Sequence, residues 1–278
     1  MKMLLTFASL IAMALIAGCG GAELLNAPEI NTVIMGETSV TVVWTVDTTI
    51  ENSTDFNGYN VYVSTDSTTL LVTEGENLNK FNTTVISGNS YTAEGLAQDS
   101  IYYIQVRTVN TDDKVGDYNA AKPFVVASPR PEFTVTVTLE LSPGNQNEAN
   151  CGLRFETGAV TSESLNVFPG ADVFFERYIN GAETLQVNSA SRRTATGFTP
   201  RTTLMVNLGQ MEFDSLSEVD PVLLTEINEP FIVGDVIAFT TEENNYVKLH
   251  VDAYDSANAT VDVTFAYQDN ADFPHFAP

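Results

Sequence analysis

The chain has 278 residues but only two cysteines, two histidines and one tryptophan, and each scarcity excludes something. Two cysteines allow one disulfide at most, so no disulfide framework is possible. CxxC, HExxH and any Cys/His cluster are missing, which removes the structural zinc sites built on them. A GxSxG nucleophile elbow and a Gly-rich phosphate loop are missing too. A Ser/His/Asp arrangement would need His250 or His275, and His275 lies in a Pro/Phe tail, DFPHFAP. Cation is also scarce: 12 Lys+Arg stand against 36 Asp+Glu, a net charge of −24. So acidic a surface repels phosphate backbones and anionic headgroups, and nucleic acid is not an expected partner. Among so many carboxylates no pair stands out as a catalytic couple. Cys151, in an apolar strand context, reads as buried and inert. The expectation is a protein without enzymatic activity.

The length suffices for two domains with a core each, and 44% hydrophobic residues is ordinary for a globular protein. The chain opens MKMLLTFASLIAMALIAGC. Lys2 precedes an apolar run from Leu4 to Ala17 that is shorter than the roughly 20 residues of a spanning helix. Charged start, apolar middle and small residues at the end make the layout of a secretory signal. Its last four residues, Ile16-Ala17-Gly18-Cys19, resemble a bacterial lipobox. The resemblance implies cleavage before Cys19, a diacylglyceryl group on its sulfur and an acylated new amino terminus. Gly20, rather than Asp, after the cysteine resembles the default for outer-membrane sorting. The expectation is a signal peptide over residues 1–18, a lipidated tether over 19–27 and a cell-envelope address. Cys151 is then left without a partner cysteine.

From Pro28 the sequence alternates as strands do. SVTVVWTV puts Val40, Val42, Trp44 and Val46 on one face, GYNVYVS aligns Tyr59, Val61 and Val63, and YYIQVRTVN aligns Tyr102, Ile104, Val106 and Thr108. Turn-rich segments such as ENSTDFNG and SGNS separate them, and no long stripe of period 3.6 intervenes. With early Pro28, Trp44 in the second strand and Leu96 six residues before Tyr102, residues 28–127 resemble a fibronectin type III module. That resemblance implies a β-sandwich with a tyrosine corner at Tyr102, although Ala97-Gln98 replaces the usual proline after the leucine. Trp44 and Tyr102 read as core. The loop NTDDKVGDYNA has Val115-Gly116-Asp117 where integrin-binding relatives carry Arg-Gly-Asp. Asp112, Asp113 and Asp117 lack EF-hand spacing, so the loop reads as a solvated turn.

VASPRPEF carries Pro129 and Pro131 and reads as a short stiff linker, residues 128–131, making a semi-rigid rod. Residues 132–278 are again β-rich. NYVKLHVDAY sends Val247, Leu249, Val251 and Ala253 one way and Tyr246, Lys248, His250, Asp252 and Tyr254 the other. ATVDVTFAYQ sends Val261, Val263, Phe265 and Tyr267 inward. The last strands thus read as an antiparallel pair with one wet face. Residues 178–230 are less periodic and read as long connections or ligand loops. The order LRFETGAV, ADVFFERYINGAETLQV, VIAFTTEENNYVKLHVDAY, VTFAYQ is similar to haem-carrier outer-membrane lipoproteins of the HmuY type, which implies an all-β domain holding haem between two axial side chains. Met205, Met211 and His250 are then the formal ligand candidates, although methionine is commonly core filling.

The expected fold is therefore all-β: a fibronectin type III sandwich followed by a second antiparallel β-domain. The expected function is that of a membrane-anchored lipoprotein. Its first module would be a spacer and its second would present a surface for a ligand or a protein, with no metal site. Haem capture is one alternative. Carbohydrate capture, hinted at by Tyr246 and Tyr254, is another. Asn52, Asn82 and Asn258 match the glycosylation pattern by chance if the lipobox marks a bacterium.

Overall fold

The computed structural model describes residues 22–45, 47–72, 74–98, 100–142, 150–161, 170–192, 199–216 and 218–276. The expected signal peptide, Cys19 and Val46 lie outside them. The fold is all-β. In the first module, β1 (Ile30–Met35), β2 (Ser39–Trp44) and β4 (Ser90–Glu94) form one sheet in the order β1-β2-β4. The facing sheet is β3 (Phe56–Ser64), β5 (Tyr102–Asn110) and β6 (Val125–Ala127) in the order β3-β5-β6. All pairings are antiparallel. Alternation decides which side chains meet: Val40, Val42 and Trp44 from one sheet pack on Tyr59, Val61, Ile104 and Val106 from the other. The Trp44 and Tyr59 rings sit edge to face at 5.2 Å. At the expected corner, the Ala97 N–H donates to the Tyr102 hydroxyl oxygen at 2.9 Å. A proline in that place would have no N–H to give.

Both long strands of the second sheet are also covered on their outer side, by Leu70, Leu78 and Val115. Arg107 is fully buried there. Its guanidinium donates to the carbonyls of Leu70 and Val72, and its Nε donates to Gln105, so one cation stitches a loop to the sheet.

The second module has two sheets. One contains β7 (Glu132–Thr138), β13 (Leu204–Gln210), β15 (Asp235–Thr240), β16 (Tyr246–Asp255) and β17 (Thr260–Tyr267), in the order β13-β15-β16-β17-β7. The other contains β8 (Glu140–Ser142), β9 (Gly152–Arg154), β10 (Ala159–Thr161), β11 (Val173–Asn180), β12 (Ala182–Ser189) and β14 (Asn228–Phe231). Its order is β10-β9-β11-β12-β14, with β8 beside β11. One pairing departs from the antiparallel expectation: β8 runs parallel to β11. The inner faces close on a core that includes Phe155, Phe175, Val187, Phe239, Leu249, Val263 and Phe265. The stretch read as loops, 178–230, contains most of the β11–β12 hairpin together with β13 and β14. Its strands looked aperiodic because much of that surface is only half-buried.

The wet face assigned to β16 is also corrected. Tyr246 and Lys248 are buried, Lys248 at 1% exposure, under Phe213, Leu216 and Phe276. A bulge between Val251 and Ala253 then shifts the phase. Ala253 becomes exposed, and Tyr254 packs on the inner core.

The modules join around Arg130, which is 1% exposed. Its backbone N–H donates to Gly36 O at 3.0 Å, and its Nη1 donates to Met35 O at 2.7 Å. Glu132 lies 3.3 Å from the same nitrogen, and the Phe276 ring packs against the guanidinium at 5.4 Å. Beside it, Asn270 from the C-terminal tail donates to Ser128 Oγ and Gln98 O in the linker and first module. At the far end of the first module, residues 22–25 are docked. Ala22 N donates to Asp112, Asn110 Nδ2 donates to Ala22 O, and Thr108 Oγ1 donates to Leu25 O. The nine residues of β5 separate the two attachments by about 25 Å.

Burial, with the Arg130 charge adding to it, pushes the Lys248 ammonium down to about 8. An unfolded lysine titrates near about 10.4, so between these values the unfolded chain holds a proton that the folded chain has released. The burial cost is complete below pH 8 and is relieved above it. Urea unfolding should therefore show a stability gain of about 2 kcal/mol between about pH 8 and 9.5, and Lys248→Met should remove that gain.

Candidate functional site

A cleft of about 600 Å³ lies at the edge of the second module, within the roughly 300–1,000 Å³ range of ligand pockets. One wall is the β12–β14 pairing, where Leu185 lies opposite Phe231 and Gln186 opposite Pro230. The other comes from Asn207 on β13 and the turn that carries β14 into β15. That turn, Ile232-Val233-Gly234, needs its glycine: Gly234 has φ +92°, a region that costs other L-residues.

Five hydrogen bonds hold the turn. Ile232 N donates to Asp235 Oδ2 at 3.0 Å, Asp235 N to Ile232 O at 3.2 Å, and Gly234 N to Val251 O at 2.8 Å. Met211 N donates to Gly234 O at 3.2 Å, and Gln210 Nε2 to Val233 O at 3.0 Å. Asn207 Nδ2 bridges Pro230 O and Asp235 Oδ2, both at 2.8 Å. The turn therefore presents Ile232, 59% exposed, and Val233, 42% exposed, on a fixed frame. At the mouth, the Tyr254 hydroxyl donates to Glu183 Oε1 at 2.8 Å. Arg177 Nη1 lies 3.6 Å from the other Glu183 oxygen. The bulge in β16 is what turns Tyr254 toward this side.

The lining is apolar with a few placed polar groups, an arrangement suited to holding a ligand. It contains no histidine, serine or cysteine. Among the described residues, no group of three His, Cys, Asp or Glu side chains is placed to hold a metal ion.

The residues singled out from the sequence do not meet in this cleft. Met205 lies in the core between the sheets, opposite Phe239. His250 is half-buried on the outer face of the same sheet, with Nδ1 2.6 Å from Asp252. The two side chains thus point to opposite faces, and no single iron could take both as axial ligands. Met211 follows β13 and contributes a backbone bond behind the turn. Tyr246 and Tyr254 are also parted, Tyr246 under the C-terminal tail and Tyr254 at the cleft. Cys151 is buried near Glu140. Asn82 is buried, with its side-chain oxygen accepting the Val61 N–H. Asp112 holds the Ala22 N–H, and Asp113 accepts from Asn57 at 3.4 Å. Asn207, Glu183 and Asp235 were not anticipated. The available signal was FIVGDV, two large apolar residues beside a Gly-Asp turn.

No protein-family model matches the chain, and no curated protein matches it. Solved structures similar to it include the FN5 domain of Drosophila Lar, at 20% identity and a TM-score of 0.26, covering 38% of this chain and 97% of that one. The central fibronectin-III array of RIM-binding protein is similar at 13% identity and a TM-score of 0.27, covering 80% of this chain and 93% of that one. The family 28 exopolygalacturonase of Yersinia enterocolitica is similar at 14% identity and a TM-score of 0.26, covering 43% of this chain and 21% of that one.

Asp235→Ala strips Ile232 N–H and Asn207 of an acceptor, so it should destabilise the chain by about 1–3 kcal/mol in urea unfolding. Val233→Ser, on the exposed rim, should change stability by less than about 0.5 kcal/mol.

Proposed function

We propose that the chain is a non-enzymatic lipoprotein of the bacterial cell envelope, probed from one end by lipid and from the other by ligand. The first module is a spacer, and the second presents the cleft. One observation carries this reading: the lead-in segment docks at one end of β5, while the second module is fixed at the other end. Only Cys19, Gly20 and Gly21 precede Ala22 in the mature chain that the lipobox implies. Three extended residues reach about 10 Å, so an acylated Cys19 would hold the docked end against the bilayer. The cleft-bearing module would then stand off by at least the length of β5. Two or more acyl chains suffice for stable anchoring at about 0.8 kcal/mol per buried CH2, so an acidic surface is no obstacle.

Two measurements test the reading. The full chain made in a Gram-negative host should partition with membranes, and Cys19→Ala should release it unprocessed by lipid. Equal membrane recovery for the variant would contradict the proposal. The docking of the lead-in segment is tested at Gly116, where an added Cβ would fall 2.2 Å from Leu25 O and 2.6 Å from Thr108 Oγ1. Gly116→Val should dislodge residues 22–27 and speed their cleavage in limited proteolysis at least ten-fold, without lowering the protection of the second module.

A further inference from the structure

We infer that the cleft of the second module binds a small ligand that joins an apolar body to a protonated amine; this rests on reading that module as a binding domain. The apolar body is indicated by the walls. Leu185, Pro230 and Phe231 line the interior, and Ile232 and Val233 extend the same surface outward. Exposing two large apolar side chains side by side is costly in water, and here the turn that exposes them is held in place by hydrogen bonds on both sides.

The amine is indicated by Asp235. Its side chain lines the cleft and is 5% exposed. Both donors that reach it, Ile232 N–H and Asn207 Nδ2, fall on Oδ2. Among the described residues no donor reaches Oδ1, and no Lys, Arg or His lies within ion-pair distance of the carboxylate. The carboxylate thus has two neutral donors on one oxygen, and its other oxygen is without a donor among the described residues. A ligand ammonium at Oδ1 would supply the missing charge and a hydrogen bond together. Glu183 at the mouth adds a second carboxylate, shared between Arg177 and the Tyr254 hydroxyl. The net charge of −24 attracts a cation at long range and opposes carboxylate-bearing ligands.

The test uses the full chain in detergent and three probes of one shape: phenethylammonium, 2-phenylethanol and 3-phenylpropanoate. Binding is read by calorimetry and by methyl chemical shifts of Leu185, Ile232 and Val233. The expected result is that the ammonium binds at least ten-fold more tightly than the alcohol, that the carboxylate does not bind, and that the shifts fall on those three residues. Asp235→Asn should abolish the preference for the ammonium, so that ammonium and alcohol bind alike. Because that carboxylate also braces the turn, Ile232→Arg is the second variant. It adds a cation at an exposed rim position and should abolish ammonium binding with the fold intact. Alcohol and ammonium binding equally at the three methyls would overturn the amine assignment while leaving the cleft a binding site. Absence of binding by all three probes, or ammonium binding unaffected by Ile232→Arg, would overturn the assignment and the cleft together.

Discussion

Arg130 sits where two sandwiches would otherwise be joined by four residues of linker. Its backbone N–H reaches one module and its guanidinium reaches the carbonyl of Met35 at the end of β1, while Phe276 and Glu132 close over it from the second module. A buried guanidinium is expensive to desolvate, and burial pushes it down to about 10. The cost fixes geometry: one guanidinium nitrogen serves both Met35 O in the first module and Glu132 in the second, so turning the modules about the linker would leave a charge buried and unpaired. Asn270, Phe276 and Lys248 all take their places in relation to this cation. The orientation of the cleft relative to the docked lead-in segment follows from it.

The cleft depends on irregularity in otherwise regular strands. The bulge in β16 rotates Tyr254 from the covered outer face to the inner edge. The bulge after Asn207 in β13 and the positive φ of Gly234 bring an amide, a carboxylate and two aliphatic side chains around one opening. Regular strands would have continued the core to the sheet edge and left no concavity. Bulges of this kind are commonly found where a strand re-aims a side chain.

Much of the framework was legible in the sequence, because alternation with period two survives wherever one face is core. Val40, Val42 and Trp44 face inward as expected, as do Val261, Val263, Phe265 and Tyr267. The tyrosine corner was legible from Leu96 and Tyr102. Three buried cations were not, since nothing local in the sequence announces the carbonyl and aromatic partners that cover Arg107, Arg130 and Lys248. The face of β16 was misread for the same reason: its cover comes from Phe213, Leu216, Val219 and Phe276, distant in sequence. The site was least legible, because a bulge inverts the phase of Tyr254 and no pattern in the chain announces it. The approach of β14 to β12 is likewise a matter of topology, not of local propensity.

The claim on which the rest depends is that the two modules form one rigid unit. Pulsed dipolar spectroscopy tests it most directly, with spin labels at Thr83→Cys in the first module and Ala257→Cys in the second, in a Cys19→Ser background with Cys151 buried. Both label positions are exposed. A single narrow distance distribution, broadened when Arg130 is replaced by alanine, is the predicted result. A broad distribution in the otherwise native chain, or one indifferent to Arg130→Ala, would contradict the account.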